Sequence, residues 1–249
     1  MRNNAAKRKL TSGKPVSVIA PTYTSAGLVE LVSRMGFEVI FIDCEHGPAG
    51  WDDVENMVRA AELANATPIV RVQANEVPTI TRALDRGAGG VQIPHINTRA
   101  EAEAAVRHAK FAPIGHRGFA GGRSAFGEKM SEYTRRANEE TMVVVMLEEV
   151  EALENLDAIL QVEHIDVFFV APGDLSQSMG YPGQMDHPRV QAAIDDAVKR
   201  IRAAGRAPGV LTTPTTVRRY LELGALFLYV SLANLLDPGA RDFLAAVRT

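Results

Sequence analysis

The chain has 249 residues, of which 46% are hydrophobic and 23% are charged, and its formal net charge is −3. This composition is typical of a globular protein with a large hydrophobic core and excludes the disordered and fibrous classes. Because there is no excess of basic residues to neutralise a phosphate backbone, the charge argues against a nucleic-acid partner.

The cysteine count and the apolar segments bear on the cellular compartment of the protein. The only cysteine, Cys44, cannot form an internal disulfide, which fits a reducing compartment. The apolar run after Pro15 is too short for a signal peptide, and no run approaches the ~20 residues of a membrane span. We therefore expect a cytoplasmic protein with no membrane partner.

Short apolar runs rich in Val, Ile and Phe recur along the chain and predict strands buried on both faces of a parallel sheet. They cover 16–20, 39–43, 68–72, 90–94, 142–147, 166–170, 207–211 and 226–230. Amphipathic stretches between them predict helices at 51–64, 77–86, 99–110, 190–204 and 216–223. Gly205 and Gly224 follow two of these stretches where a helix commonly ends.

Eight strand-helix repeats of one polarity predict an α/β fold, a single-domain (β/α)8 TIM barrel, because right-handed crossovers place each helix outside the sheet. An open doubly wound sheet is the alternative, but the first strand lacks the Gly-rich turn of a dinucleotide-binding fold. We expect one domain over 1–249, with a long excursion at 96–141 and a C-terminal helix at 238–248. Excursions of this length usually form lids or subunit contacts.

Carboxylates follow two neighbouring strands at the end of the barrel where active sites form. Glu148 follows the fifth strand and Asp174 follows the sixth. Two such oxygen donors suit a hard divalent cation of the Mg²⁺ or Mn²⁺ type. The alternatives are that Glu148 and Glu149 complement the positive start of the next helix, and that Asp174 only caps a helix.

Arg71 and His46 are the other chemical candidates. Arg71 ends an otherwise apolar strand, so its guanidinium needs an anion, which is either a substrate oxygen or a structural ion pair in the barrel mouth. His46 lies in a turn crowded with acids, a setting that would orient its imidazole for proton transfer, although a hydrogen-bonded loop histidine is the alternative. His95 is a weaker candidate, and Cys44 is expected to be buried packing.

Two absences limit the mechanism. The six lysines all lie away from the ends of the predicted strands, so Schiff-base chemistry is not expected, and a metal, Arg71 or both must activate the carbonyl. A site of this kind, in which a metal and not a lysine activates the carbonyl, is called class II. The residues after strands seven and eight offer no Gly-rich phosphate loop, which disfavours phosphorylated sugars.

Six segments of the chain carry a family resemblance when taken together. They are DCEHGP at 43–48, VRV at 70–72, LDRGA at 84–88, IP at 93–94, GHRG at 115–118 and APGDLSQSMG at 171–180. In this order and spacing, within 36–236, the chain resembles the HpcH/HpaI family of metal-dependent pyruvate aldolases. It departs from the family pattern at 171–174, at Met146, where Gln is usual, and at His95, where an apolar residue is common.

The resemblance implies roles for the residues already singled out. Glu148 and Asp174 would be the metal ligands, and Arg71 would bind the keto acid oxygens and steady the enolate. His46 would be the base, acting through or beside a metal-bound water, and Asp85 would be the acid that pairs with it.

The resemblance also implies residues that bind the substrate or support the metal. Backbone amides around Gly173 would hold the pyruvate carboxylate, and Leu211 would contact the substrate. Asp43 and Glu45 would interact with the water on the metal.

The implied activity is the reversible cleavage of a 4-hydroxy-2-oxo acid to pyruvate and an aldehyde with Mg²⁺, Mn²⁺ or Co²⁺. The implied assembly is a homo-oligomer, typically a hexamer, formed by exchange of C-terminal helices, for which 240–248 is the candidate. Two other functions remain open: a CoA-ester lyase of the same superfamily, for which the sequence offers no basic cluster, and a non-catalytic barrel that binds a keto acid or serves as a scaffold.

Overall fold

The computed structural model describes residues 3–120 and 122–248, so the two ends of the predicted domain, 1–2 and 249, lie outside the described residues. Eight parallel strands form a closed barrel in chain order, with the last strand paired to the first. The strands are β1 (Val16–Ala20), β2 (Val39–Asp43), β3 (Thr67–Arg71), β4 (Gly90–Ile93), β5 (Met142–Leu147), β6 (Val167–Val170), β7 (Pro208–Leu211) and β8 (Phe227–Ser231). The predicted TIM barrel is confirmed.

Helices alternate with the strands, and most of them cover the outside of the barrel. They are α1 (Ala5–Thr11), α2 (Ala26–Arg34), α3 (Trp51–Leu63), α4 (Val77–Asp85), α5 (Arg99–Ala109), α6 (Met130–Glu140), α7 (Val150–Glu154), α8 (Leu156–Ile159), α9 (Pro172–Ser178), α10 (Pro188–Ala203), α11 (Val217–Glu222) and α12 (Leu232–Arg248), with a short 3-10 turn at Arg123–Ala125. In the described parts of the chain, no helix is both long and apolar enough to cross a lipid bilayer.

The predicted boundaries differ from the observed ones by one or two residues. All five predicted helices end one residue too late, because the last residue included is the C-cap and not part of the helix. Gly205 and Gly224 come directly after two of these C-caps with φ values of +74° and +95°, which confirms their role in ending α10 and α11. Five of the predicted strands are displaced by one residue at one or both ends.

The strands are buried on both faces, which explains why their sequences do not alternate. On β2, Ile40 and Ile42 pack outward against the helices, whereas Phe41 packs inward. Phe41 and Phe169 each meet the ring of Tyr229 edge to face inside the barrel, with ring centroids 5.1 Å and 5.9 Å apart. Such pairs add roughly 0.5–1.5 kcal/mol each to the burial of the rings, so they fix the shape of the barrel interior.

The amino-terminal end of the barrel is covered by α1, which the sequence analysis did not predict. The side chain of Asn4 caps α1 by accepting a hydrogen bond from the backbone nitrogen of Lys7. Its amide nitrogen also donates to the backbone oxygens of Gly89 and Glu140, next to β4 and β5. The cap therefore joins α1 to the barrel.

Lys110 is buried near this end of the barrel, and no carboxylate of the described residues forms an ion pair with it. Its ammonium nitrogen donates to the backbone oxygens of Asn138 and Thr141, at 2.8 Å and 2.6 Å. Burial, together with the nearby charge of Lys7, lowers the pKa of Lys110 to about 7. The charged form of Lys110 is therefore a cost to the folded state.

Lys110 predicts a specific pH dependence of stability. An unfolded lysine titrates near ~10.4, so between about pH 7 and that value the unfolded state binds the additional proton and the free energy of unfolding rises with pH. Lys110→Met removes this rise. Between pH 7 and 9, we expect the free energy of unfolding of the wild type to rise, relative to that of the variant, by up to about 1.4 kcal/mol per pH unit. Urea unfolding at several pH values measures this difference, and parallel pH curves for the two proteins would contradict it.

The long excursion packs at the amino-terminal end of the barrel and not over its mouth. It follows α5, which runs back from the carboxyl end of β4, so the chain is already at the opposite end when the irregular part begins. There the buried Arg117 binds Asp85 at 2.8 Å, and Arg123 binds Glu62 at 2.6 Å. The expected lid is therefore not formed within one chain, and a subunit contact remains the prediction for this segment.

The C-terminal helix begins earlier than predicted, at Leu232, directly after β8. None of its described residues is buried, and its apolar side chains include Leu236, Phe243 and Val247, which are 60%, 69% and 66% exposed. The helix therefore leaves the barrel with its apolar residues uncovered.

Candidate active site

The carboxyl ends of the strands bring the predicted polar residues together in the mouth of the barrel. Asp43 ends β2 and lies in register with Arg71, which ends β3 and lies beside Gln92 of β4. Glu148 follows β5, and Asp174 lies in the first turn of α9, just after β6. This convergence follows from the parallel arrangement of the strands.

Arg71 makes the structural ion pairs that the sequence analysis considered as one of two alternatives. Its Nε and Nη2 atoms donate to Asp43 at 2.9 Å and 2.7 Å, and its Nη1 lies 2.9 Å from Glu45. Burial opposes the charge on Asp43, but the hydrogen bonds and the charge of Arg71 outweigh it and lower the pKa of Asp43. Because a guanidinium has five N–H donors and these contacts use three, Arg71 retains donors for a substrate oxygen.

Glu148 is a buried carboxylate that faces other carboxylates. Its side chain is 1% exposed, and its Oε1 accepts a hydrogen bond of 2.7 Å from the backbone nitrogen of His95. Burial, with the charges of Asp174 and Glu45, raises the pKa of Glu148 to about 7. The charge of His95 favours the ionised form of Glu148 but does not outweigh these effects, so a further cation would stabilise the carboxylate.

The side chain of Asp174 has no partner among the described residues. The N-cap of α9 is Ala171, so the alternative that Asp174 only caps this helix is wrong. Within 3–120 and 122–248, its carboxylate has neither a hydrogen bond nor an ion pair, but its charge acts on Glu148. The two predicted metal ligands are therefore near enough for the charge of Asp174 to raise the pKa of Glu148.

The donor set fits a hard cation that is completed by water and substrate. Among the described residues, no three His, Cys, Asp or Glu side chains are grouped to hold a metal ion by themselves. Two carboxylates with open positions are the arrangement in which ions such as Mg²⁺ keep several waters and take up substrate oxygens. The residues in the mouth thus agree with the predicted open site and not with a closed structural one.

The turn after β2 presents His46 at the mouth. The Oδ1 atom of Asp43 accepts hydrogen bonds from the backbone nitrogens of Glu45 and His46, at 3.0 Å and 3.3 Å, and so shapes the turn. Gly47 is required because a Cβ atom there would lie 2.3 Å from the backbone oxygen of Asp43. The His46 side chain is 71% exposed, and its Nε2 lies 4.0 Å from Glu45.

His95 lies among the carboxylates of the mouth, which the sequence analysis did not expect. Its Nδ1 atom is 2.9 Å from Glu149 and 3.4 Å from Glu148, and its Nε2 is 3.6 Å from Glu45. Burial opposes a charge on the ring, but the hydrogen bond with Glu149 and the three negative charges outweigh it and raise the pKa of His95. Its backbone is left-handed, with φ of +54°, a strained conformation that is common at functional sites.

A model of the HpcH/HpaI aldolase/citrate lyase family matches residues 22–232. The chain belongs to this family. It is 38% identical over 247 residues to a 4-hydroxy-2-oxo-heptane-1,7-dioate aldolase of Klebsiella pneumoniae, covering 98% of this chain and 93% of that protein. A protein of the same name from Escherichia coli is 37% identical over 246 residues, covering 98% and 94%.

Solved structures of HpcH/HpaI proteins agree with the barrel. A family member from Burkholderia cenocepacia superimposes with a TM-score of 0.93 at 31% identity, covering 99% of this chain and 100% of that chain. An HpcH/HpaI aldolase from Desulfitobacterium hafniense has a TM-score of 0.88 at 26% identity, with 97% and 96% covered. The predictions of the family, of the barrel and of a carbon–carbon lyase of the class II pyruvate aldolase type are confirmed.

Within one HpcH/HpaI chain, Asp85 does not reach His46. Because α4 runs back from the carboxyl end of β3, its last residue, Asp85, lies at the amino-terminal end of the barrel, where Arg117 binds it. The implied pair of Asp85 and His46 is therefore not formed inside this chain.

The other two implied substrate contacts lie at the mouth. Gly173 is in the first turn of α9, and no atom lies within 4 Å of the position of an added Cβ, so there is open space beside it. Leu211 ends β7 and packs, half-buried, against the apolar interior of the barrel. Both positions are compatible with the implied roles.

Proposed function

We propose that this chain is a metal-dependent aldolase that reversibly cleaves a 4-hydroxy-2-oxo acid to pyruvate and an aldehyde. The observation that carries the proposal is the buried carboxylate Glu148, whose pKa is raised by the charge of Asp174, in the same barrel mouth as Arg71. The relatives at 37–38% identity support this reaction, because both are named as aldolases of a 4-hydroxy-2-oxo acid.

Glu148 and Asp174 would hold the divalent cation, which is Mg²⁺, Mn²⁺ or Co²⁺. Once bound, the ion would polarise the 2-oxo group of the substrate and favour negative charge on that oxygen. The amides around Gly173 would hold the carboxylate of the pyruvate part beside the ion. Leu211, which is paired with Tyr229 of β8, would contact the substrate from the other side of the mouth.

Arg71 acts on the charge that develops during cleavage. When the bond between C3 and C4 breaks, its electron pair moves toward the 2-oxo oxygen and forms the enolate of pyruvate. The remaining N–H donors of Arg71 stabilise this oxygen, while Asp43 and Glu45 hold the guanidinium in place. Protonation of C3 then gives pyruvate.

His46 is the base that accepts the proton of the C4 hydroxyl, directly or through a water molecule. Loss of this proton turns C4 into the carbonyl carbon of the aldehyde. The turn around Asp43 and Gly47 sets the position of His46, because both residues fix the backbone that carries it.

A pyruvate-release assay tests this function directly. We expect pyruvate from 4-hydroxy-2-oxo acids of graded length when Mg²⁺, Mn²⁺ or Co²⁺ is supplied, no turnover after chelation, and recovery when the ion is returned. Turnover that persists in a chelator would overturn the metal-dependent mechanism. Absence of pyruvate with every ion and substrate would favour the non-catalytic barrel.

The C-terminal helix supports the proposed homo-oligomer. A cavity of about 320 Å³ lies on the barrel near the start of α12, and it is lined mainly by apolar side chains that include Phe37, Val217, Leu221 and Val230. The exposed apolar residues of α12 would cover this groove on a second copy of the chain and complete a helix exchange. A hexamer is the assembly that we propose.

The exchange predicts that one charge on α12 dissociates the oligomer. Phe243→Glu places a carboxylate in the proposed interface, where its burial is unfavourable, so we expect smaller species by size-exclusion chromatography with light scattering. Asp242→Asn, on the adjacent residue of the same helix, is the matched control and should leave the assembly intact. An unchanged mass for Phe243→Glu would exclude this part of α12 from the interface.

A further inference from the structure

A second cavity opens beside the proposed catalytic groups, on the side of the mouth formed by β1, β2 and β8. Its volume is about 280 Å³, and Asp43 and His46 form one of its walls. The rest is lined mainly by hydroxyl-bearing and apolar side chains, including Thr22, Phe41 and Tyr229. None of the described lining residues is a lysine or an arginine, so no wall of this cavity offers a permanent cation to a carboxylate.

Tyr229 presents an uncommitted hydroxyl to this cavity. Its ring is held edge to face between Phe41 and Phe169, so the side chain has little freedom. Among the described residues, no group forms a hydrogen bond with its hydroxyl, although the charges of Arg71 and Asp43 both act on it. Burial raises the pKa of Tyr229 to about 12, so the hydroxyl stays protonated and available as a donor.

The proposed mechanism directs the aldehyde half of the substrate into this cavity. In the proposed mechanism His46 takes the proton of the C4 hydroxyl, and His46 and Tyr229 line the same cavity, which Glu148 and Asp174 do not line. The carbons beyond C4 would therefore extend into this cavity toward Tyr229. A second carboxylate on those carbons would meet the charge of Asp43 without a permanent cation to balance it, which is unfavourable. A hydroxyl on C5 would meet a free donor.

We infer that Tyr229 selects the substrate by donating a hydrogen bond to a hydroxyl on C5, so that the preferred substrate is a 4,5-dihydroxy-2-oxo acid without a second carboxylate. This inference rests on the proposed aldol cleavage and names the substrate class for the same site. A site with a placed hydrogen-bond donor discriminates strongly against an analogue that lacks the acceptor, because the buried donor is then left unpaired.

Three substrates test the inference in a pyruvate-release assay with a saturating divalent ion. They are 4,5-dihydroxy-2-oxopentanoate, 4-hydroxy-2-oxopentanoate, and 4-hydroxy-2-oxo-heptane-1,7-dioate. For the wild type, we expect kcat/KM to be highest for 4,5-dihydroxy-2-oxopentanoate, about tenfold above 4-hydroxy-2-oxopentanoate. A tenfold difference corresponds to the net contribution of one hydrogen bond. The dioate should be at least as poor as the second substrate.

Tyr229→Phe removes only the hydroxyl and keeps both ring contacts, so the barrel interior is retained. We expect it to lose about tenfold in kcat/KM with the dihydroxy acid and less than twofold with 4-hydroxy-2-oxopentanoate. Tyr220→Phe is the matched control, because it removes the same atom from α11, where the hydroxyl bonds Gln191 outside the barrel mouth. It should change neither value.

Two results would overturn the inference while the aldolase proposal stands. One is a wild type that prefers the dioate, and the other is an equal loss in Tyr229→Phe for both monocarboxylic substrates. Pyruvate from none of the three substrates would overturn the proposed function and, with it, this inference.

Discussion

Replacing Glu148 by Gln is expected to abolish tight binding of the divalent ion and to lower kcat by about 1,000-fold or more, since a metal ion contributes several kcal/mol to stabilising the developing charge. The substitution keeps the size of the side chain and removes the charge that would bind the cation. Isothermal titration with Mn²⁺ measures the binding, and the pyruvate-release assay measures the rate.

Two controls separate this loss from unfolding. Glu149→Gln changes the neighbouring carboxylate, which bonds His95 and Asn97, and should keep Mn²⁺ affinity within about tenfold of the wild type. The metal-free Glu148→Gln protein should be at least as stable as the wild type, because it no longer buries a charge among carboxylates. Full Mn²⁺ affinity in Glu148→Gln would remove this residue from the proposed metal site.

Replacing Arg71 by Ala is expected to lower kcat by about 100-fold to 1,000-fold with a smaller change in KM. The reason is that the guanidinium stabilises the enolate oxygen, whose charge is greatest in the transition state, and loss of one such donor typically has this cost. Steady-state kinetics with pyruvate release measures both constants. A raised KM with an unchanged kcat would show that Arg71 only binds the ground state of the substrate.

A second variant at Arg71 distinguishes the loss of chemistry from the loss of the ion pairs. Arg71→Ala leaves Asp43 and Glu45 without their cation, and Asp43 also shapes the turn that carries His46. Arg71→Lys keeps a positive charge for both acids but cannot reproduce the fork of donors. We expect Arg71→Lys to be as stable as the wild type and still to lose at least about tenfold in kcat.

Residues whose roles depend on neighbours along the chain were predictable from the sequence. Glu148 and Asp174 follow adjacent strands, and in a parallel barrel adjacent strand ends share one mouth. Arg71 ends an apolar strand, and a buried guanidinium needs an anion as its partner. The sequence left two possible anions open, and the structure shows that Asp43 and Glu45 pair with Arg71 while donors remain free for the substrate.

Residues whose surroundings come from distant parts of the chain were not predictable. His95 was the weaker histidine candidate, yet Glu45, Glu148 and Glu149 surround its ring. None of these acids is next to His95 in the sequence. The usable signal was the departure from an apolar residue at that position. Asp85 was expected at the mouth, beside His46, but does not lie there within this chain. The direction of α4 places it at the other end of the barrel, where it binds Arg117.

The sequence by itself determined the barrel, its approximate boundaries and the family, because buried parallel strands and bounded helices are local patterns that repeat along the chain. Only the tertiary structure decided which charges meet, how Tyr229 is held against Phe41, and that α12 leaves its apolar residues uncovered. The physical reason is that periodicity depends on residues a few positions apart, whereas electrostatic and ring contacts depend on strands and loops that closure of the barrel brings together.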